Sequence, residues 1–114
     1  MNREIHNKLI RDKIPQIISA NKSKFKISIL NNKQFRNALK KKLLEEALEL
    51  EKAKTKEEIL NELSDVLEIV ENISKQNHIS MRDVEKSRQK KFIERGGFDK
   101  RLFLKYTYKE ERKD

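Results

Sequence analysis

The sequence predicts a mainly α protein, a helical bundle built on two long antiparallel helices, with one short two-stranded β element beside them. Two stretches of about twenty residues, 33–54 and 55–76, repeat their apolar positions at helical spacing. Two glycines and one proline punctuate 114 residues, too few for a collagen-like or linker-rich chain. Charged residues make up 41% against 35% hydrophobic, enough apolar material for amphipathic faces but little for a deep core, so self-association is expected. Length and the lack of an internal repeat point to a single domain over 1–114, with 109–114 as a frayed, charged tail.

The elements follow in order. Pro15 suits the first turn of a helix, predicted over 15–20 and ended by Asn21–Ser23. Phe25, Ile27 and Ile29 alternate with Lys26 and Ser28, the period of a half-buried strand. Asn31 and Asn32 are N-cap candidates for the first long helix, whose apolar positions are Phe35, Leu39, Leu43, Ala47 and Leu50. Thr55 with Glu58 resembles a capping box for the second, which carries Ile59, Leu63, Val66, Leu67, Val70 and Ile73. Ser80 with Asp83 would open a weaker helix through Val84, Arg88 and Phe92, stopped by Gly96 and Gly97. Leu102, Leu104, Tyr106 and Tyr108 alternate as a second strand over 101–108, expected to pair with 25–30.

Composition excludes several classes. With no cysteine, there is no disulfide scaffold, thiolate metal site or cysteine nucleophile. The first twenty residues lack a signal-peptide apolar run, no uncharged run is long enough to span a bilayer, and a cytoplasmic protein is the expectation. No Walker-type glycine loop is present, which removes a P-loop NTPase. The net charge of +9 is unevenly placed. Residues 1–42 carry 12 bases against 2 acids, 43–85 carry 5 against 12, and 86–114 carry 11 against 5. A uniformly basic chain reads first as a nucleic-acid binder, whereas an acidic middle between basic arms suits acids that hold a cation and bases that hold a phosphate chain.

The acids of the middle segment are placed unusually. At about 100° per residue, with Phe35 as zero, the apolar arc runs through Leu39 at about 40° to Leu43 at about 80°, and Glu46 falls inside it at about 20°. Glu49 lies on its edge at about 320°. On the next helix, with Ile59 as zero, Glu62 at about 300° sits among the apolar residues and Asp65 borders them at about 240°, while Glu68 and Glu71 point away. A carboxylate turned toward a core must be protonated, paired or metal-bound. Four residues after each of Glu46, Glu49, Glu62 and Asp65 stands an apolar residue rather than a base, and Lys42 is the nearest base on that face. An antiparallel turn near Thr55 would bring the two acidic pairs face to face, a set of oxygen donors suited to Mg²⁺ or Mn²⁺. Glu45 reads either as an accessory acid or as a surface one.

The run Glu45-Glu46-Ala47-Leu48-Glu49 followed by Glu62-Leu63-Ser64-Asp65 is similar to the EExxE and ExxD pair of the all-α nucleoside triphosphate pyrophosphatases, the superfamily of MazG and phosphoribosyl-ATP pyrophosphohydrolase. The opening Asn7-Lys8-Leu9-Ile10-Arg11-Asp12-Lys13-Ile14-Pro15 and closing Arg95-Gly96-Gly97-Phe98-Asp99-Lys100-Arg101 resemble the ends of a small MazG-like, house-cleaning branch. The resemblance spans residues 7 to about 104. It implies Mg²⁺-dependent hydrolysis of a standard or non-standard nucleoside triphosphate to monophosphate and pyrophosphate, with Mn²⁺ as an alternative ion. It also implies Glu46, Glu49, Glu62 and Asp65 as metal ligands, and a homo-oligomer, dimer or tetramer. Glu45 and Glu46 are the catalytic candidates, Glu45 as the group that orients or deprotonates water.

Phosphate contacts are expected from Lys8, Arg11, Lys13, Lys42, Arg95, Lys100 and Arg101. His6 and His78 lack metal-ligand companions, and Phe98 is the aromatic candidate for stacking on a base. The partner expected is a nucleotide, with no membrane and no nucleic acid. The alternative, from net charge alone, is a small basic helical nucleic-acid-binding protein without catalysis, and a third is a helical interaction module.

Overall fold

In a computed structural model, which describes residues 2–111, the protein is all-helical. The helices are α1 (Ile14–Ala20), α2 (Asn32–Lys52), α3 (Lys56–Gln76) and α4 (Met81–Arg95). The chain divides into two compact units, Met1–Met81 and Arg82–Asp114.

In the first unit, Pro15 stands in the first turn of α1 as expected, and the helix ends at Asn21 before Lys22 turns into the left-handed region. Asn31 caps α2: its side chain accepts from the Gln34 N–H at 2.8 Å, and the Gln34 side chain accepts from the Asn31 N–H at 3.1 Å. Both bonds satisfy donors that the first turn of a helix leaves unpaired. Thr55 caps α3 by accepting from the Glu58 N–H at 3.1 Å, but the Glu58 carboxylate takes the Thr55 hydroxyl, at 3.1 Å, rather than its backbone N–H, so only half of the expected box forms. A turn as short as the one between α2 and α3 returns the chain antiparallel, and these two helices pack on each other.

Their seam contains the buried hydrophobic residues of the described chain, Leu39 and Ile69. Ser74, also buried, donates its hydroxyl to the Ile79 carbonyl, which fastens the turn after α3 where His78 takes a positive φ. Along the same helices Leu44, Leu48, Leu60, Leu63 and Leu67 stay exposed.

In the second unit α4 stops at the glycines, as the sequence predicts. Gly96 has φ 79°, a conformation glycine adopts without penalty, and its N–H reaches the Phe92 carbonyl at 2.8 Å. Gly97 lies so close to the Phe92 ring that a Cβ there would sit 2.9 Å from it.

The two-stranded β element is corrected: the described residues contain no strand. Alternating hydrophobicity over 25–30 and 101–108 marks a chain with two unlike faces, but a strand exists only through ladder hydrogen bonds with a partner. Ile29 is 97% exposed and Leu102 85%, so neither segment has the buried face that the pattern implies. Tyr106 and Tyr108, two residues apart, stack their rings at 6.2 Å instead. Residues 112–114 of the expected frayed tail lie outside the described residues; 109–111 are exposed and irregular. No helix among the described residues is long and apolar enough to cross a membrane.

Candidate functional site

The antiparallel turn places Glu46 of α2 and Glu62 of α3 equally far from it on its two sides, which is why they meet. Asp65 lies one turn further along α3, on the same side as Glu62. One carboxylate oxygen from each of Glu46, Glu62 and Asp65 lies within 4.8 Å of the other two, and all three residues are half-buried. Glu49 is exposed and its carboxylate is outside this set. Asp65 also borders its apolar arc and yet joins the set, so an edge position does not by itself decide which acids meet.

Three carboxylates this close repel one another unless something offsets their charge. Two bases contribute. The Arg11 Nη2 donates to Asp65 Oδ1 at 2.8 Å, and the Lys42 Nζ lies 3.3 Å from Glu45 Oε2 and 3.9 Å from Glu46 Oε1. The compensation is incomplete. Glu46, with a side chain only 14% exposed, is pushed up to about 7 from 4.5. Burial is the main cause, followed by the Glu62 carboxyl with which it can share a proton and by the charges of Asp65 and Glu62; Lys42 opposes them. Beside it, Glu62 Oε1 is 3.5 Å from the Asn61 amide, while the buried Glu62 Oε2 has no hydrogen-bond partner. With every carboxylate ionised that oxygen is an unsatisfied acceptor, and either a shared proton or a cation would satisfy it.

This donor set is all oxygen, anionic and drawn from two rigid helices. Hard divalent ions such as Mg²⁺ and Mn²⁺ take such ligands, while zinc and copper favour nitrogen and sulfur. The orphaned Glu62 oxygen is the feature that fits an ion best, because a cation supplies the missing partner without a proton.

Of the other residues singled out from the sequence, Glu45 is exposed and held by Lys42. Lys8 and Lys13 are exposed in the first unit, and neither forms an ion pair with the acids of the cluster. Arg95, Lys100 and Arg101 are exposed in the second unit, as is Phe98 at 96%. The structure therefore gathers Arg11, Lys42, Glu46, Glu62 and Asp65. Helical spacing offers Lys42 as the counter-charge but does not reveal Arg11 as the partner of Asp65, 54 residues away. The available signal is that Asp65 has no base at helical spacing and needs one from elsewhere. No protein-family model, curated protein or solved structure matches the chain.

Proposed function

We propose that this protein is a divalent-metal-dependent nucleoside triphosphate pyrophosphohydrolase of the all-α, MazG-like kind that its motifs resemble. The observation that carries the reading is the meeting of Glu46, Glu62 and Asp65 with a buried Glu62 oxygen left without a partner. Glu46, Glu62 and Asp65 would hold Mg²⁺ or Mn²⁺, which when bound offsets the charge of the phosphate chain and polarises the attacking water. In the reaction, water adds to the α-phosphorus, the bond from that phosphorus to the bridging oxygen breaks, and pyrophosphate departs while the monophosphate and one proton remain. Glu45, exposed next to Glu46 in sequence and sharing Lys42 with it, is the carboxylate assigned to accept that proton. Lys42 and Arg11 are the bases of the first unit that stand against the acids and can turn to phosphate oxygens.

The protein acts in this reading as a homo-oligomer, a dimer or tetramer. Leu44 and Leu48 on α2, and Leu60, Leu63 and Leu67 on α3, are exposed and spaced three or four residues apart within each helix, two apolar rows that further copies would cover.

The test is a panel of nucleoside triphosphates with Mg²⁺ or Mn²⁺, monitored for pyrophosphate. Release from at least one of them, abolished by chelator and lowered at least about 100-fold by Glu46→Gln or Glu62→Gln with helical content intact, is the expected outcome. Full turnover in both variants would overturn the assignment. Salt-sensitive binding to DNA or RNA, indifferent to these substitutions and without turnover, would favour a nucleic-acid-binding protein instead.

A further inference from the structure

Arg11 differs from the other bases that pair with acids. Lys42–Glu45, Lys42–Glu46 and Arg88–Glu85 are pairs within one helix, three or four residues apart, whereas Arg11 crosses from the N-terminal segment to α3. Its backbone is anchored: the Ile14 N–H bonds to the Arg11 carbonyl at 3.1 Å, and Leu9, Ile10, Ile14 and Pro15 around it are half-buried. Its side chain is not enclosed. It is 59% exposed and lines an open groove with Ser64, Leu67, Glu68 and Glu71, so the guanidinium has room to swing while the backbone stays in place.

We propose that Arg11 is a built-in counter-ion that couples the two ligands of the site, holding Asp65 while the acidic cluster is metal-free and turning its guanidinium to the phosphate chain of the nucleotide once a divalent ion takes Asp65. This rests on the pyrophosphohydrolase reading above. A guanidinium and a divalent ion that claim the same carboxylate compete for its lone pairs and repel each other. Phosphate oxygens offer the displaced guanidinium a bidentate acceptor of the same sign as the carboxylate it leaves. The metal alone therefore binds against Arg11, and metal with nucleotide binds with its help. Such coupling is reciprocal, so each ligand tightens the other.

The experiment is titration of Mn²⁺ alone, followed by the loss of free-ion paramagnetic resonance, into wild type, Arg11→Gln and Arg11→Lys, with circular dichroism to confirm that each is folded. The titration is then repeated with an α,β-methylene analogue of whichever triphosphate the wild type hydrolyses. Arg11→Gln should bind Mn²⁺ alone more tightly than wild type, by roughly 5–150-fold, the usual span of site-to-site coupling. Arg11→Lys, which keeps the charge, should stay near wild type. The tightening of Mn²⁺ by the analogue should be large in wild type and largely lost in Arg11→Gln. Unchanged or weaker Mn²⁺ binding by Arg11→Gln overturns the proposal, since it would make Arg11 a bystander or a prop for Asp65. Absence of Mn²⁺ binding in all three proteins removes the metal site itself, a separate failure.

Discussion

An arginine rests on a carboxylate in both units, but in surroundings that differ. In the second unit Arg88 grips Glu85 through Nε at 2.9 Å and Nη2 at 2.6 Å, and the exposed carboxyl is simply held below its ordinary range. In the first unit Arg11 reaches Asp65 at a seam where two more carboxylates crowd in, and Glu46 is driven up to about 7. An acid in water is satisfied by one neighbouring base. Acids gathered between packed helices are not, and the excess negative charge that remains is what a divalent ion can use. The units differ in packing too: Leu39 and Ile69 are buried in the first, whereas residues 85–111 of the second are all exposed.

The largest effect on this difference is expected at Leu39. Leu39→Ala should lower stability by about 2–5 kcal/mol, measured as a shift in the urea midpoint, because it empties the seam that positions Glu46 and Glu62. A loss well below about 1 kcal/mol would mean that the helix pair is held by something other than this core.

The next effect is electrostatic. Glu46 titrates at about 7 when folded, against an ordinary value of 4.5, so between these values the folded, metal-free protein keeps a proton that the unfolded chain has released. The contribution is present in full below about pH 4.5 and is lost as pH rises to about 7, by at most about 3 kcal/mol. Urea unfolding at several pH values in chelator should show this decline, and Glu46→Gln should flatten it. Glu85→Gln should leave the slope in that window unchanged, since Glu85 is held below 4.5 and its contribution is lost only as pH falls below that value. A stability that rises from pH 4.5 to 7 through Glu46 would contradict the cluster as described.

The smallest effect belongs to the second unit. Phe98→Ala should change stability by no more than about 0.5 kcal/mol, as at other exposed positions. A larger loss would show that this aromatic ring is covered in the assembled protein.

The helices are legible in the sequence because their signals are local. Asn31, Thr55, Pro15 and Gly96 mark ends by bonds or dihedral angles within a few residues. The β element is not, because alternation at Phe25, Ile27 and Ile29 describes one chain, while pairing depends on a second segment that sequence spacing does not supply. Within the site, the angular position of Glu46 and Glu62 among apolar residues, together with their equal distance from the turn at Thr55, is legible and brings them together, whereas Glu49, nearer the turn, lies outside the set. The pairing of Arg11 with Asp65 leaves no periodic trace, since contacts between distant segments follow from tertiary packing alone.

A catalytic role for the seam requires that Glu46, Glu62 and Asp65 bind a divalent ion together. The most direct measurement is the Mn²⁺ affinity of wild type against Glu62→Gln, by calorimetry on proteins of equal helical content. Saturable binding by wild type, weakened at least about tenfold in the variant, is the result predicted. Equal affinity in the two, or no binding by the wild type, would contradict it.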